Sequence, residues 1–187
     1  MSASSTARAP LLAALLAGVA LAVACSAPAS DPRYTPSAPP DETTFAPVAQ
    51  MLGVRCGTID CHGTPWRNLR IYSSGGLRYA STDRPFVPPC DTTDEVSQTY
   101  LSVIGLEPEA MSQVASGGDP GQLTLVRKPR GTEAHKGGQL WTQGDDADTC
   151  LTAWLAGNPS TSACSNAMAA VLPGGNADPL LQCLQGP

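Results

Sequence analysis

Seven cysteines in a chain of 187 residues constrain the fold of this protein more than any other feature. The sequence also has eighteen Gly and eighteen Pro but only two Phe, a composition typical of one small, loop-rich domain with a limited apolar core. Burial of apolar side chains therefore needs help from cross-links or from a bound group. How the cysteines are used depends on the compartment, which the N-terminus indicates.

The N-terminus has the pattern of an export signal. A basic residue precedes the apolar run PLLAALLAGVALAVAC, which has signal-peptide length and is too short, with the wrong flanks, for a spanning helix. The run ends in Ala-Val-Ala-Cys at Cys25, which resembles the lipobox of bacterial lipoproteins, although Ala22 stands where Leu is commoner. This resemblance implies lipidation of Cys25, anchoring to the lipid bilayer of the cell envelope and, with Ser26 next, the outer membrane. The alternative is an ordinary signal peptide cut near Ala24 or Ala27.

The chain divides into four segments. Residues 1–24 are the expected signal peptide. Residues 25–43 follow with the lipidated Cys and a linker that has five prolines and almost nothing apolar, which predicts an extended tether. The folded domain is expected over 44–157. Residues 158–187 are punctuated by Gly and Pro and are expected to form a tail with one short helix, SACSNAMAAVL.

Apolar periodicity predicts helices in the folded domain. One face of TTFAPVAQMLGVRC carries Phe45, Val48 and Leu52. A second helix is predicted over 93–105, after a capping-box pattern in TTDE. A third follows the acidic stretch GDDAD, whose charges suit a helix N-terminus, and stops at Gly157. The predicted fold class is therefore mainly α, a small helical domain with long loops and disulfide cross-links.

If Cys25 carries lipid, six cysteines remain: Cys56, Cys61, Cys90, Cys150, Cys164 and Cys183. They can form three disulfides, or the first two can hold a covalent group and leave two disulfides. Cys164 and Cys183 bracket a short tail with little apolar area of its own, so we expect them to pair with each other. Cys90 then pairs with Cys150 by elimination. This use of the thiols in an oxidising compartment argues against a catalytic cysteine nucleophile.

The stretch CGTIDCHG at residues 56–63 combines two of these cysteines with a histidine. Covalent haem needs two thiols for its vinyl groups and a following His for the iron, usually with a spacer of two residues between the thiols. Here the spacer is GTID, which must loop outward if Cys56, Cys61 and His62 are to meet one haem. Gly57 makes such a loop feasible. The alternative is a pair of disulfide cysteines beside a surface histidine.

The surroundings of the motif resemble a cytochrome c-like domain of exported bacterial (lipo)proteins. A helix runs into Cys56, the motif ends in CHG, and a late helix holds Trp154, which is the order of class I cytochrome c, whose first and last helices cross beside the haem. The stretch GDPGQLTLVRKPRGTEAHKGGQLWTQGDDADTCLTAWLAG is similar to one in which DP-x-S-x-L-L leads to HGGG and then to W-[IL]-x-x-G. RNLR-I-Y and GLR are further shared stretches. The resemblance covers residues 45–157, with three departures: the long spacer, Cys90 and Cys150.

The resemblance implies haem c bound covalently through Cys56 and Cys61, with His62 as the proximal iron ligand. His135, the second of only two histidines, is the candidate ligand on the other side. Met111 is the alternative sixth ligand, although EPEAMSQV also fits a helix in which Met fills the core. Three arginines after the motif suit haem propionates by their bidentate geometry, although such arginines are often simply solvated: Arg67, Arg70 and Arg78.

Other chemistries have less support. A net charge of −5 without a basic tract argues against nucleic acid as a partner. Cys56, Cys61, His62 and His135 have the residue types of a tetrahedral zinc site, but thiolate zinc suits a reducing compartment better. GDDAD lacks the spacing of an EF-hand. No Ser/His/Asp arrangement or glycine-rich phosphate loop is present, so we do not expect an enzyme.

Two functions therefore remain. One is a membrane-tethered, periplasmic or cell-surface c-type haem electron carrier whose redox partner proteins the sequence does not reveal. The alternative is a haemless, disulfide-stapled lipoprotein on the same scaffold, with a structural or binding role, because a scaffold can persist without its cofactor.

Overall fold

The structure is a computed structural model that describes residues 38–83 and 91–171. The expected signal peptide, the lipidation site Cys25 and most of the linker lie outside the described residues, as do Cys90, Cys183 and the tail beyond residue 171. Within the described ranges, no helix is long and apolar enough to cross a membrane.

The described part of the chain is mainly helical, as predicted. It contains two 3₁₀ turns, Glu42–Thr44 and Pro120–Gln122, and no β-structure beyond an isolated bridge between Tyr72 and Leu77. Its six α-helices are α1 (Ala46–Cys56), α2 (Thr93–Ile104), α3 (Pro108–Ala115), α4 (Thr124–Arg127), α5 (Asp146–Leu155) and α6 (Thr161–Ala169).

The helix ends follow from local sequence signals. At the start of α2, Thr92 Oγ1 accepts a hydrogen bond from the Glu95 N–H and the Glu95 carboxylate accepts one from the Thr92 N–H, which confirms the predicted capping box. Asp145 caps α5 by accepting from the Asp148 N–H at 3.0 Å. Gly157 follows α5 with φ +76°, a conformation that favours glycine at a helix C-terminus.

An aromatic cluster joins the N-terminus of α1 to α2 and α5. The ring centroid of Phe45 lies 4.7 Å from that of Trp154 and 5.5 Å from that of Tyr100. Trp154 Nε1 donates to the Asp41 carbonyl and the Tyr100 hydroxyl donates to the Pro40 carbonyl, so both polar ends are satisfied. The first and the late helix are thereby fixed side by side at the centre of the core.

The disulfide pattern differs from the expected one. Cys150 of α5 is bonded to Cys164 of α6, with 4.7 Å between their Cα atoms, so Cys150 does not pair with Cys90, nor Cys164 with Cys183. The reason is that α6 packs directly on α5 and α1 and buries Ala163, Cys164, Ala167 and Met168, although residues 158–187 were expected to form a tail. A disulfide that closes a loop of this length stabilises the fold by about 3 kcal/mol.

Two buried ion pairs hold the long loops against the helices. Arg78 binds the fully buried Glu95 of α2 in a bidentate pair, with Nε–Oε1 at 2.7 Å and Nη2–Oε2 at 3.0 Å. Arg130 binds Asp148 of α5 in the same way, at 2.7 and 2.9 Å. Glu95 is therefore both a capping group of α2 and an anchor for one loop, and Asp148 of α5 anchors a second loop.

Candidate functional site

The CGTIDCHG loop begins where α1 ends. His62 donates its backbone N–H to the Cys56 carbonyl at 3.0 Å, so the chain returns to the end of α1 immediately after the spacer. The Cys61 and Gly63 N–H groups both donate to the Thr58 carbonyl at 2.9 Å. The exposed residues 58–60 thus form a small outward turn, and the extra length of the spacer does not separate Cys56 from His62.

A close backbone contact explains the glycine that follows His62. A Cβ atom on Gly63 would lie 1.9 Å from the Gly57 carbonyl oxygen, a distance that no side chain can occupy. Only glycine at position 63 therefore lets the chain leave the histidine in this direction.

The two motif cysteines are free thiols in different surroundings. Neither Cys56 nor Cys61 is bonded to another cysteine among the described residues. Cys56 is buried and Cys61 is exposed. Burial raises the pKa of the Cys56 thiol to about 12, with the nearby Arg55 charge opposing and Cys61 reinforcing the shift. Cys56 is therefore protonated at neutral pH, which does not suit an activated nucleophile.

Differential alkylation tests these surroundings in protein made without haem maturation. Iodoacetamide should modify Cys61 in the native state and Cys56 only after unfolding, because a buried thiol with a pKa near 12 offers almost no thiolate. The thiolate of Cys56 forms only as the pH rises toward that value. Peptide mass spectrometry locates the label. Equal labelling of both thiols, or of neither because they are bonded together, would contradict the structure.

A backbone carbonyl holds His62 in one tautomer. Its Nδ1 lies 3.1 Å from the Leu69 carbonyl, and because a carbonyl only accepts, Nδ1 carries the proton and Nε2 keeps its lone pair. Burial lowers the pKa of His62, an effect that the charges of His135 and Arg67 reinforce and the Leu69 hydrogen bond opposes. Such a carbonyl contact is the usual way in which proteins orient a ligating imidazole.

His135 has the same arrangement on the opposite loop. Its Nδ1 lies 3.0 Å from the Gly138 carbonyl, and the Gly138 N–H donates to the His135 carbonyl at 2.9 Å. The HKGG sequence therefore forms a tight turn that holds its own imidazole, with Gly138 at φ +72°. Lys128 secures the preceding residues through Ala134 and Glu133.

The two imidazoles face each other. Their ring centroids are 6.1 Å apart and their planes differ by 19°. Because metal–imidazole bonds are about 2.0 Å long, one metal ion shared by two imidazoles places the ring centres about 6 Å apart. The centroid separation of His62 and His135 is of this size.

A cavity of about 750 Å³ contains this pair in its wall, within the size range of small-molecule and cofactor sites. Both motif thiols line it as well. The rest of the wall is largely apolar, with five leucines from different parts of the chain: Leu52, Leu69, Leu106, Leu125 and Leu140.

Two buried donors in the cavity wall are unsatisfied. Arg55 Nε and Trp141 Nε1 find no hydrogen-bond partner among the described residues, although the other Arg55 nitrogens donate to the Ala167 and Leu140 carbonyls. The Arg55 guanidinium also lies 5.7 Å from the centre of the Trp141 ring. An unpaired buried donor costs about 1–3 kcal/mol, so a group that accepts hydrogen bonds from these two atoms would stabilise the wall. Neither residue is predicted from the sequence. The one available signal was the position of Arg55, a basic residue directly before the motif.

The remaining sequence candidates fall in different places. Arg67 lines the cavity and its Nε donates to the Cys61 carbonyl. Arg70 is exposed and does not line the cavity, and Arg78 is engaged by Glu95. Met111 is 2% exposed in the helical core and is not among the cavity-lining residues, whereas its competitor His135 is.

The zinc alternative gains no support from this geometry. The described residues contain no group of three or more His, Cys, Asp or Glu side chains that could hold a metal ion. The site combines two neighbouring imidazoles, two thiols and a largely apolar cavity. In comparisons with known proteins, no family model, curated protein or solved structure matches this chain.

Proposed function

We propose that this protein is a c-type haem electron carrier of the cell envelope, tethered to a membrane through Cys25. The observation that carries the proposal is the pair of facing imidazoles, 6.1 Å apart, in the wall of an apolar cavity that two free thiols also line. A haem held there would supply one-electron transfer at its iron.

The protein's first task in this proposal would be to bind the haem iron. His62 and His135 would bind the iron through Nε2, because a backbone carbonyl holds the proton on Nδ1 of each ring. Two histidines favour a lower reduction potential than a His and Met pair, and the burial of Met111 in the core fits the histidine choice.

The second task is attachment. Cys56 and Cys61 would form the two thioethers, for which both thiols must be free. The haemless alternative, in its simplest form, requires these two cysteines to be bonded to each other. Because neither thiol is bonded to another cysteine within residues 38–83 and 91–171, the haem proposal is favoured over the structural one.

The third task is to satisfy the propionates. Arg55 Nε and Trp141 Nε1 are buried donors that lack partners among the described residues, and Arg67 adds a cationic group at the cavity. A carboxylate accepts from such groups in charge-assisted hydrogen bonds. Arg55, Trp141 and Arg67 are therefore the residues that would hold the propionates.

The packing of the helices also supports a cytochrome c-like arrangement. Phe45 and Trp154 fix α1, which ends in the motif, against α5, which follows the His135 loop. This contact between the two helices fixes the relative positions of the segments that carry His62 and His135. The expected redox partners are other proteins of the envelope, which neither sequence nor site identifies.

Replacement of the distal ligand tests the proposal. In protein matured with cytochrome c machinery, His135→Ala should convert a low-spin spectrum to one with a vacant or water-bound position, while the haem stays covalently attached. Met111→Leu is the matched control and should leave the spectrum unchanged, because Met111 lies in the core. Optical and electron paramagnetic resonance spectra distinguish the forms. A spectrum altered by Met111→Leu but not by His135→Ala would contradict the assignment.

A further inference from the structure

The segment 71–78, here termed the strap, lies against the motif and is fixed mainly by α2. The Tyr72 N–H donates to Thr99 Oγ1 at 3.0 Å, and Thr99 Oγ1 donates back to the Tyr72 carbonyl. The end of the strap is held by the buried pair between Arg78 and Glu95. The strap is therefore anchored on the side away from the cavity.

On its other side the strap contacts the motif backbone. The Ile71 N–H donates to the His62 carbonyl at 2.9 Å. A Cβ atom on Gly76 would lie 1.9 Å from the Gly57 carbonyl oxygen and 3.0 Å from the Gly63 Cα. Three backbone segments thus meet at one carbonyl: the start of the spacer, the residue after His62, and Gly76.

This contact gives the long spacer a rigid support. The Gly76 N–H donates to the Ser73 carbonyl and the Ser73 N–H to the Leu77 carbonyl, so the strap turns tightly at this point. Any side chain at position 76 must push the Gly57 carbonyl away, because the strap is held on α2 and has little freedom to retreat. The displacement would reach Gly63, and His62 is bonded directly to it.

We propose that Gly76, which lies outside the motif, is a positioning residue for His62. Its missing side chain lets the strap support the four-residue spacer in the conformation that directs His62 toward His135. This inference rests on the proposed haem function.

The test compares Gly76→Ala with Gly121→Ala in haem-loaded protein. A Cβ on Gly121 would meet only the Asp119 carboxylate, at 3.1 Å, so this control makes the same chemical change without a backbone clash. Gly76→Ala should weaken His62 ligation by about tenfold or more, as loss of a ligand's outer support commonly does. A high-spin fraction should appear, and added imidazole should restore the low-spin spectrum. Gly121→Ala and the wild type should not respond to imidazole.

A folded Gly76→Ala protein with the wild-type spectrum would overturn the inference. If Gly76→Ala does not unfold cooperatively, Thr99→Val replaces it. This change removes the hydroxyl that anchors Tyr72 yet keeps the side-chain shape, so it should produce the same spectral change to a smaller extent. An unchanged Thr99→Val spectrum would then overturn the inference. A colourless wild-type protein would instead refute the proposed function, and the inference with it.

Discussion

Replacing Glu95 with glutamine is expected to lower the free energy of unfolding by about 3–5 kcal/mol, because it removes the charge of one partner of a buried ion pair and leaves the other charge uncompensated. Glu95 is fully buried and Arg78 nearly so, with side-chain exposures of 0% and 7%. The carboxylate also accepts from the Thr92 and Tyr79 N–H groups. In the variant, the Arg78 guanidinium faces a neutral amide in a region that water does not reach.

Glu133→Gln is the matched control for this prediction. Glu133 pairs with Arg127 and Lys128 at comparable distances, 2.9 and 3.1 Å, but about a third of its side chain is exposed. Solvent-screened pairs contribute little, so this variant should unfold almost as the wild type does. Urea denaturation followed by circular dichroism measures the free energy of unfolding of both variants. Equal losses in the two variants would show that burial of the Arg78 pair is not what stabilises it.

The helices were the part of the fold that the sequence predicted best. The TTDE capping box and the stop at Gly157 depend on residues within one turn of a helix end, so local sequence is enough to place them. The start of α5 was placed less well, because the helix begins at Asp146, within GDDAD and not after it. The burial of two polar residues on α2 was not predicted. Glu95 and Thr99 are fully buried there, because a distant loop supplies partners for both.

The disulfide pairing could not be derived because it depends on tertiary packing. The expected Cys164–Cys183 pair assumed a separate tail, whereas α6 docks on α1 and α5 and brings Cys164 to Cys150. Docking of this helix depends on small and apolar residues such as Ala163, Ala167 and Met168. Such a short helix gives too weak a periodic signal to reveal its partner.

In the candidate site, too, residues within a local motif were predicted and residues brought in by tertiary packing were not. His62 and His135 were identified from their motifs, and the structure brings their rings together. Arg55 and Trp141 were missed, since an arginine beside a motif and a lone tryptophan have no local pattern that indicates a shared cavity wall. Arg78, a candidate for the site by sequence, instead forms the buried ion pair with Glu95 that holds its loop on α2.

Replacing both Cys56 and Cys61 with alanine is expected to abolish covalent haem attachment completely. The thioethers of the proposed haem would require these two sulfurs, and both line the cavity together with His62 and His135. A matched pair, Cys150→Ala with Cys164→Ala, removes the same number of sulfurs at the disulfide. That control should lower stability by about 3 kcal/mol but keep the haem. Haem staining of denatured protein on a gel separates the two results.

Haem retention after denaturation is the most direct test of the central claim. Wild-type protein produced with cytochrome c maturation machinery should be red, and its Soret absorbance should stay with the polypeptide after unfolding and acid–acetone extraction, because thioethers survive both. Its intact mass should exceed that of the mature chain by one haem. A colourless protein from the same host, with Cys56 and Cys61 unmodified or bonded to each other, would contradict the account.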